Sequence, residues 1–225
     1  MPTPLTCSAS LNHTQDYLHI SLSKPHQVLS SAVCNGGLVT ADQVLNLKVP
    51  KHTDAAEPPE QTLINCASAL GGKGQLVGMM TAASMKSFRK SVRSAQGVEI
   101  TVLATVGLAN ARRAGDVAEY RQIASEPEEI GTINLIMLTN AYLTQAAMVE
   151  ALMVITEAKA AALQDAGVIS PVSGEIATGT GTDSVAIVNG FGPDEVRYCG
   201  KHVLFGELLA QAVIEALSRS IAREA

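Results

Sequence analysis

The feature that most constrains this chain is the apolar run TINLIML, residues 132–138, together with a long Ala-rich segment after it and then the Thr/Gly run ATGTGTDS, residues 177–184. A short, near-continuous apolar run reads as a strand covered on both faces. Asn134 lies inside it, and a buried amide needs partners, so Asn134 is either a satisfied structural group or a ligand contact. Thr139 or Asn140 can cap the next segment as a helix, and Gly167 ends it. Helical spacing puts Met148, Leu152, Ile155, Lys159 and Leu163 on one stripe. Lys159 interrupts that stripe: its ammonium either snorkels to water or, if buried, requires an anion such as Asp183 or a Glu. Glu150 and Glu157 share a neighbouring stripe. Polar residues (Asn134, Glu157, Lys159, Asp183, Ser184) in apolar company mark a candidate site, because local rules tend to break where function is carried.

Composition narrows the classes. The 225 residues can build one sizeable core, and no charge block or Pro/Gly/Ser linker divides them, so one domain is expected. Aromatics are 3% of the chain and Trp is absent, against 47% hydrophobic residues. The core is therefore aliphatic, and stacking platforms for single-stranded nucleic acid are not expected. A net charge of −5 without a basic patch disfavours binding to a phosphate backbone. No apolar run approaches the ~20 residues that cross a bilayer, and the N-terminal sequence lacks a secretory pattern. Cys7, Cys34, Cys66 and Cys199 have no C-x-x-C spacing and read as free thiols. A cytoplasmic protein without nucleic-acid or membrane partners is the expectation.

Taken in order, YLHISLSK (17–24) and VLSSAV (28–33) read as strands interrupted by Pro25, and VLNLKV as another. Between them, Cys34-Asn35-Gly36-Gly37 is a tight turn, or a run of backbone amides facing a ligand. Residues 51–59 read as a surface loop or a lid, with His52 either a base or a solvated loop histidine. Pro59 opens a helix that stops at Gly71-Gly72. LVGMM (76–80) is strand-like, and Met79, Met80 and Met85 either fill the core or line an adaptable pocket. SFRKSVRS reads as a solvated basic face, and Val98–Leu108 as a strand. ANARRAGD then makes a turn whose Arg112 and Arg113 face water or an anion. Residues 118–130, acidic and Pro-containing, read as a loop or frayed turn. A C-terminal helix runs from about Val203 to Arg223, with His202 just ahead of its first turn, where helix-start amides attract anions. Strands clustered before helices argue for an α+β fold, helices layered on a mixed or mostly antiparallel sheet. Ala-rich helices also allow close packing within or between subunits, leaving room for a homo-oligomer.

SSAVCNGGL (30–38), GMMTAASM (78–85), GTINLIMLTN (131–140), TEAKAAAL (156–163), ATGTGTDS (177–184) and GKHVLFGELL (200–209) occur in this order. As an ordered set they resemble the adenosylcobinamide amidohydrolase family of corrinoid salvage. The resemblance implies hydrolysis of the amide joining aminopropanol to a corrin-ring propionate of adenosylcobinamide, with adenosylcobyric acid and 1-amino-2-propanol as products. It implies a small-molecule corrinoid as the partner. No cofactor is expected beyond the cobalt carried by that substrate.

Amide hydrolysis needs an activated nucleophile, an oxyanion stabiliser and an acid for the leaving amine. The sequence has no G-x-S-x-G elbow and no H-E-x-x-H spacing. Direct attack by water is one expectation, with Asp183, Glu157 or His202 as base. Lys159, Lys201 or the Thr180-Gly181-Thr182 amides would then steady the oxyanion. A threonine nucleophile, freed by self-cleavage before Thr132, is another. Candidate substrate contacts are Asn35, Gly36, Gly37, Met79, Met80, Thr81, Asn134, Thr180, Thr182 and Ser184. The non-enzymatic alternative is a corrinoid-binding protein, although the carrier string D-x-H-x-x-G is absent.

Overall fold

The computed structural model describes residues 2–6, 8–50, 57–118 and 131–222. Cys7, His52 and most of the two expected loops (residues 51–56 and 119–130) lie outside the described residues. The elements in chain order are β1 (Thr3–Thr6), β2 (Ala9–His13), β3 (Tyr17–Ser30), β4 (Gly37–Lys48), α1 (Pro59–Ala69), β5 (Leu76–Thr81), β6 (Arg89–Ala95), β7 (Val98–Val106), β8 (Ala111–Arg112), β9 (Ile133–Thr139), β10 (Tyr142–Leu143), α2 (Gln145–Asp165), β11 (Gly179–Thr180), β12 (Ser184–Val188), β13 (Glu195–Val196) and α3 (Leu204–Ile221).

Nine strands form one mixed sheet in the order β1-β2-β3-β12-β9-β7-β6, with β4 on the other edge of β3 and β5 beyond it. The β4–β5 and β9–β12 pairs are parallel and the rest antiparallel. The fold is α+β, as the element order suggests. The sheet curls so that β1–β5 lie over β7, β9 and β12, enclosing a core that includes Ile20, Val44, Met79, Leu103, Ile136 and Ala186. Alternation along β9 sends Leu135 and Met137 to the opposite face, into the core beneath α2 and α3. A smaller cluster seats α1, through Leu63 and Ala67, on the outer face of β4 and β5. The layers therefore run helix, sheet, sheet, helix. The central run of β9 is buried at every position, as its uninterrupted apolar pattern requires.

Several elements depart from the sequence reading. Pro25 does not split β3; it falls where the β3–β4 register shifts, between Ser21 and His26, and such an irregularity tolerates a residue without an N–H. SFRKSVRS supplies β6, a strand at the edge of the sheet, where charged side chains block further pairing. The cap of α2 is Thr144, whose Oγ1 accepts from Ala147 N at 3.2 Å, because β10 occupies the residues after Asn140. Among the described residues no helix is long and apolar enough to cross a membrane.

Candidate functional site

The polar residues of the chain converge where β4, β5 and β7 end and β9 and β12 begin. The parallel register sets Ser184 beside Asn134, and the antiparallel register sets Thr105 beside Asn134. Alternation then points Thr132, Asn134, Thr182 and Ser184 into the space between the two sheet layers, while Asp183 points toward α2.

On the helix side, Lys159 pairs with Asp183, with side chains only 10% and 11% exposed. Burial decides the open question about Lys159: it does not reach water but takes Asp183 as its anion. The Asp183 carboxylate also accepts from Ile133 N at 3.0 Å, from Thr180 N at 3.0 Å and from the Thr180 hydroxyl. Four donors thus converge on this one carboxylate. Its geometry is that of an anchor, fastening α2, the Thr/Gly turn and the first residue of β9 together. Gly179 makes this possible, since a Cβ there would lie 2.4 Å from Asp183 Oδ2 and 2.8 Å from Lys159 Nζ.

On the inter-sheet side, Thr132 Oγ1 lies 2.7 Å from Thr182 Oγ1, and Thr182 Oγ1 donates to the Gly131 carbonyl at 3.0 Å. One hydroxyl carries one proton, so Thr132 is the donor in the 2.7 Å contact. Thr132 is 2% exposed, and its carbonyl accepts from Gly107 N at 3.0 Å, extending the β7–β9 ladder. Behind it lies a polar chain: Asn134 Nδ2 donates to Asn46 Oδ1 and to the Met80 carbonyl, each at 2.8 Å, and Asn46 Nδ2 donates to Thr105 Oγ1 at 2.9 Å. Asn134 Oδ1 is buried without a hydrogen-bond partner among the described residues, an arrangement that costs roughly 1–3 kcal/mol.

A cavity of about 370 Å³ opens at this end, walled by Lys48, Val49, Ala83, Ser84, Gly107, Leu108, Ala109 and Gly131 among others. A second, of about 550 Å³, shares Lys48 and Ser84 and reaches His13 and Lys86. A depression of about 440 Å³ around Gln96, Gly97 and Asn140 lies at the far end of β7 and holds none of these groups. Each of the three described thiols is held above its ordinary pKa. Burial, with Glu60 beside it, pushes the Cys34 thiol up; burial alone raises Cys66; burial, with Glu150 adding, pushes Cys199 to about 12.

Other expected site residues fall elsewhere. Glu157 and Lys201 pair with each other, with side chains 50% and 67% exposed. His202 is exposed before α3, its ring against Gly200. No hydrogen bond or ion pair among the described residues ties these three to Thr132 or Asp183. Residues 157 and 159, close in number, lie on different faces of α2, so one meets solvent and the other the sheet. Met79 and Met80 do not share a pocket, because β5 points the first into the inter-sheet core and the second toward α1. The Asn35-Gly36-Gly37 segment is a tight turn, with Asn35 at φ 55° and its Nδ2 bonded to the Leu76 carbonyl at 2.8 Å. A Cβ at Gly36 would strike the Ala32 carbonyl at 2.4 Å. Thr81 is fully buried and its hydroxyl holds Ala83 N, shaping the cavity wall from behind. Sequence reasoning misses Asn46, Thr105 and Lys48, although Asn46 in VLNLKV carries the same signal as Asn134, an amide in an apolar strand.

The sequence model of the adenosylcobinamide amidohydrolase family matches residues 4–225. An adenosylcobinamide amidohydrolase of Methanosarcina mazei is 27% identical over 196 residues, covering 83% of this chain and 86% of that protein. An uncharacterized protein of Methanocaldococcus jannaschii is 50% identical over 95 residues, which are 40% of this chain and 37% of that relative's length. Among solved structures, the PH0078 protein of Pyrococcus horikoshii aligns at a TM-score of 0.45 and 11% identity, covering 94% of this chain and 77% of that one. A Burkholderia sp. beta-aminopeptidase aligns at 0.42 and 13%, covering 97% and 80%.

Proposed function

The chain belongs to the adenosylcobinamide amidohydrolase family, and on that premise we propose that it hydrolyses the amide between aminopropanol and a corrin-ring propionate of adenosylcobinamide. The products are adenosylcobyric acid and 1-amino-2-propanol. The observation that carries this reading is the hydroxyl pair of Thr132 and Thr182, 2.7 Å apart beside a cavity and backed by the buried Lys159–Asp183 pair. Thr132 Oγ1 is the nucleophile and Thr182 the neighbour that exchanges its proton. The Ala109 amide nitrogen lies 2.9 Å from where a Cβ on residue 131 would sit, and we assign its N–H to the oxyanion. Lys159 and Asp183 are positioning residues: they fix the strand ends that carry both hydroxyls. The two cavities, which share Lys48 and Ser84 and come up to Gly131, would receive the bulky corrinoid, and Asn134 Oδ1 would accept from an amide or amine N–H of the substrate once the site opens.

Incubating the protein with adenosylcobinamide and analysing the mixture by mass spectrometry tests this. Adenosylcobyric acid and free aminopropanol in equal amounts are expected. Tight binding with no product would instead make the chain a corrinoid-binding protein.

A further inference from the structure

The Thr132 hydroxyl belongs to a residue nearly closed off from solvent, and Gly131, joined to it by the preceding peptide bond, forms part of the cavity wall. A nucleophile at 2% exposure cannot meet a corrinoid amide unless the chain around it opens. We propose that the chain cleaves its own Gly131–Thr132 bond, and that the cut uncovers Thr132 as an amino-terminal nucleophile. This rests on the reading of Thr132 as the reacting group.

Two hydrogen bonds already link the groups the cut uses. Thr182 Oγ1 donates to the Gly131 carbonyl oxygen at 3.0 Å, polarising the scissile carbonyl, and receives the Thr132 hydroxyl proton across 2.7 Å. Thr132 Oγ1 attacks the Gly131 carbonyl carbon. Its proton passes to Thr182, whose own proton goes to the carbonyl oxygen. The tetrahedral species then collapses: the C–N bond breaks, the nitrogen of Thr132 takes up the proton, and an ester links Gly131 to Thr132 Oγ1. Water hydrolyses that ester, leaving a carboxylic acid on Gly131 and a free amine and hydroxyl on Thr132. One water is consumed and no other reagent is needed.

Two further features fit the cut. A Cβ on residue 131 would lie 2.5 Å from Asn110 Oδ1 and 2.9 Å from the Ala109 and Asn110 amide nitrogens, so only glycine places the carbonyl against Thr182. Asp183 holds Ile133 N and Gly107 holds the Thr132 carbonyl, so the new terminus stays fixed after cleavage. The freed α-amino group, ordinarily titrating near ~7.7–8, then sits on the same residue as the hydroxyl and serves as its base.

Intact-mass measurement of the purified full chain is the test. Two fragments are expected, the second starting at Thr132, and N-terminal sequencing of it should read TINLIML. Thr132→Ala should remain a single chain, and Thr132→Ser, which keeps the hydroxyl, should still be cut. A wild-type protein that stays full length overturns the proposal whatever its activity. A protein that is cut but releases no cobyric acid contradicts the amidohydrolase reading instead and leaves the cleavage standing.

Discussion

Lys159 donates to Asp183 in an ion pair sealed between α2 and the start of β12, and the same carboxylate holds the first amide of β9. The pair is asymmetric. Asp183 has the Ile133 and Thr180 donors to fall back on, whereas Lys159 has no other hydrogen-bond or ion-pair partner among the described residues. Asp183→Ala should therefore cost about 3–5 kcal/mol, as a buried uncompensated charge does. Lys159→Met should cost less, about 1–3 kcal/mol, because three hydrogen bonds still satisfy the carboxylate. Urea denaturation of both variants and the double variant measures this. Equal losses in the two single variants would contradict the anchor role.

Gly179 lets that pair close. Gly179→Ala would push a methyl carbon between the two charged groups, where clearances are 2.4 and 2.8 Å. The expected outcome is a loss of stability comparable to Asp183→Ala and a fall in turnover, read by denaturation and by product formation. Unchanged stability would mean that the turn relaxes freely around residue 179.

Glu157, Lys201 and His202 sit on the surface. Exposed ion pairs contribute roughly 0–1 kcal/mol, so Glu157→Gln should unfold almost as the wild type does. His202→Ala and Glu157→Gln should both keep near-wild-type kcat. A large drop in either, with the fold intact, would move the site toward the start of α3.

His26 supplies a pH dependence. Its Nδ1 is 2.6 Å from the Asn189 carbonyl, and its Nε2 is buried without a hydrogen-bond partner among the described residues. Burial, first, and the Lys24 charge hold its pKa below the usual histidine value, against the opposing Asn189 bond. A depressed folded-state pKa means the unfolded chain binds the proton more readily. The associated stability is full above ~6.5, the unfolded value, and is lost as pH falls through the folded pKa. Denaturation midpoints should drop between neutral pH and acid in the wild type, and drop less in His26→Asn. Parallel pH profiles for the two would contradict this.

Parts of this architecture were legible in the residues. The apolar run of β9, the Ala-rich α2 ended by Gly167 and the polar turn before Asp183 are local patterns, and local patterns survive folding. Lys159 on an apolar stripe posed the right question, but its answer depends on Asp183 being carried back to α2 by the parallel β9–β12 register, which is a long-range fact. The same holds for Asn46, whose partner Asn134 lies in the facing layer. His202 drew attention because histidine often carries chemistry, yet exposure was decided by how the segment before α3 packs. Thr132 was visible only as a Gly-Thr step, since a threonine opening a strand is ordinary. What distinguishes it is the geometry to Thr182 and to the Gly131 carbonyl.

The most direct test of the site is the turnover of adenosylcobinamide by Thr132→Ala, with folding verified by circular dichroism and denaturation. If Thr132 is the nucleophile, kcat should fall on the order of 10³-fold or more. Adenosylcobyric acid formed at the wild-type rate by Thr132→Ala would contradict that role.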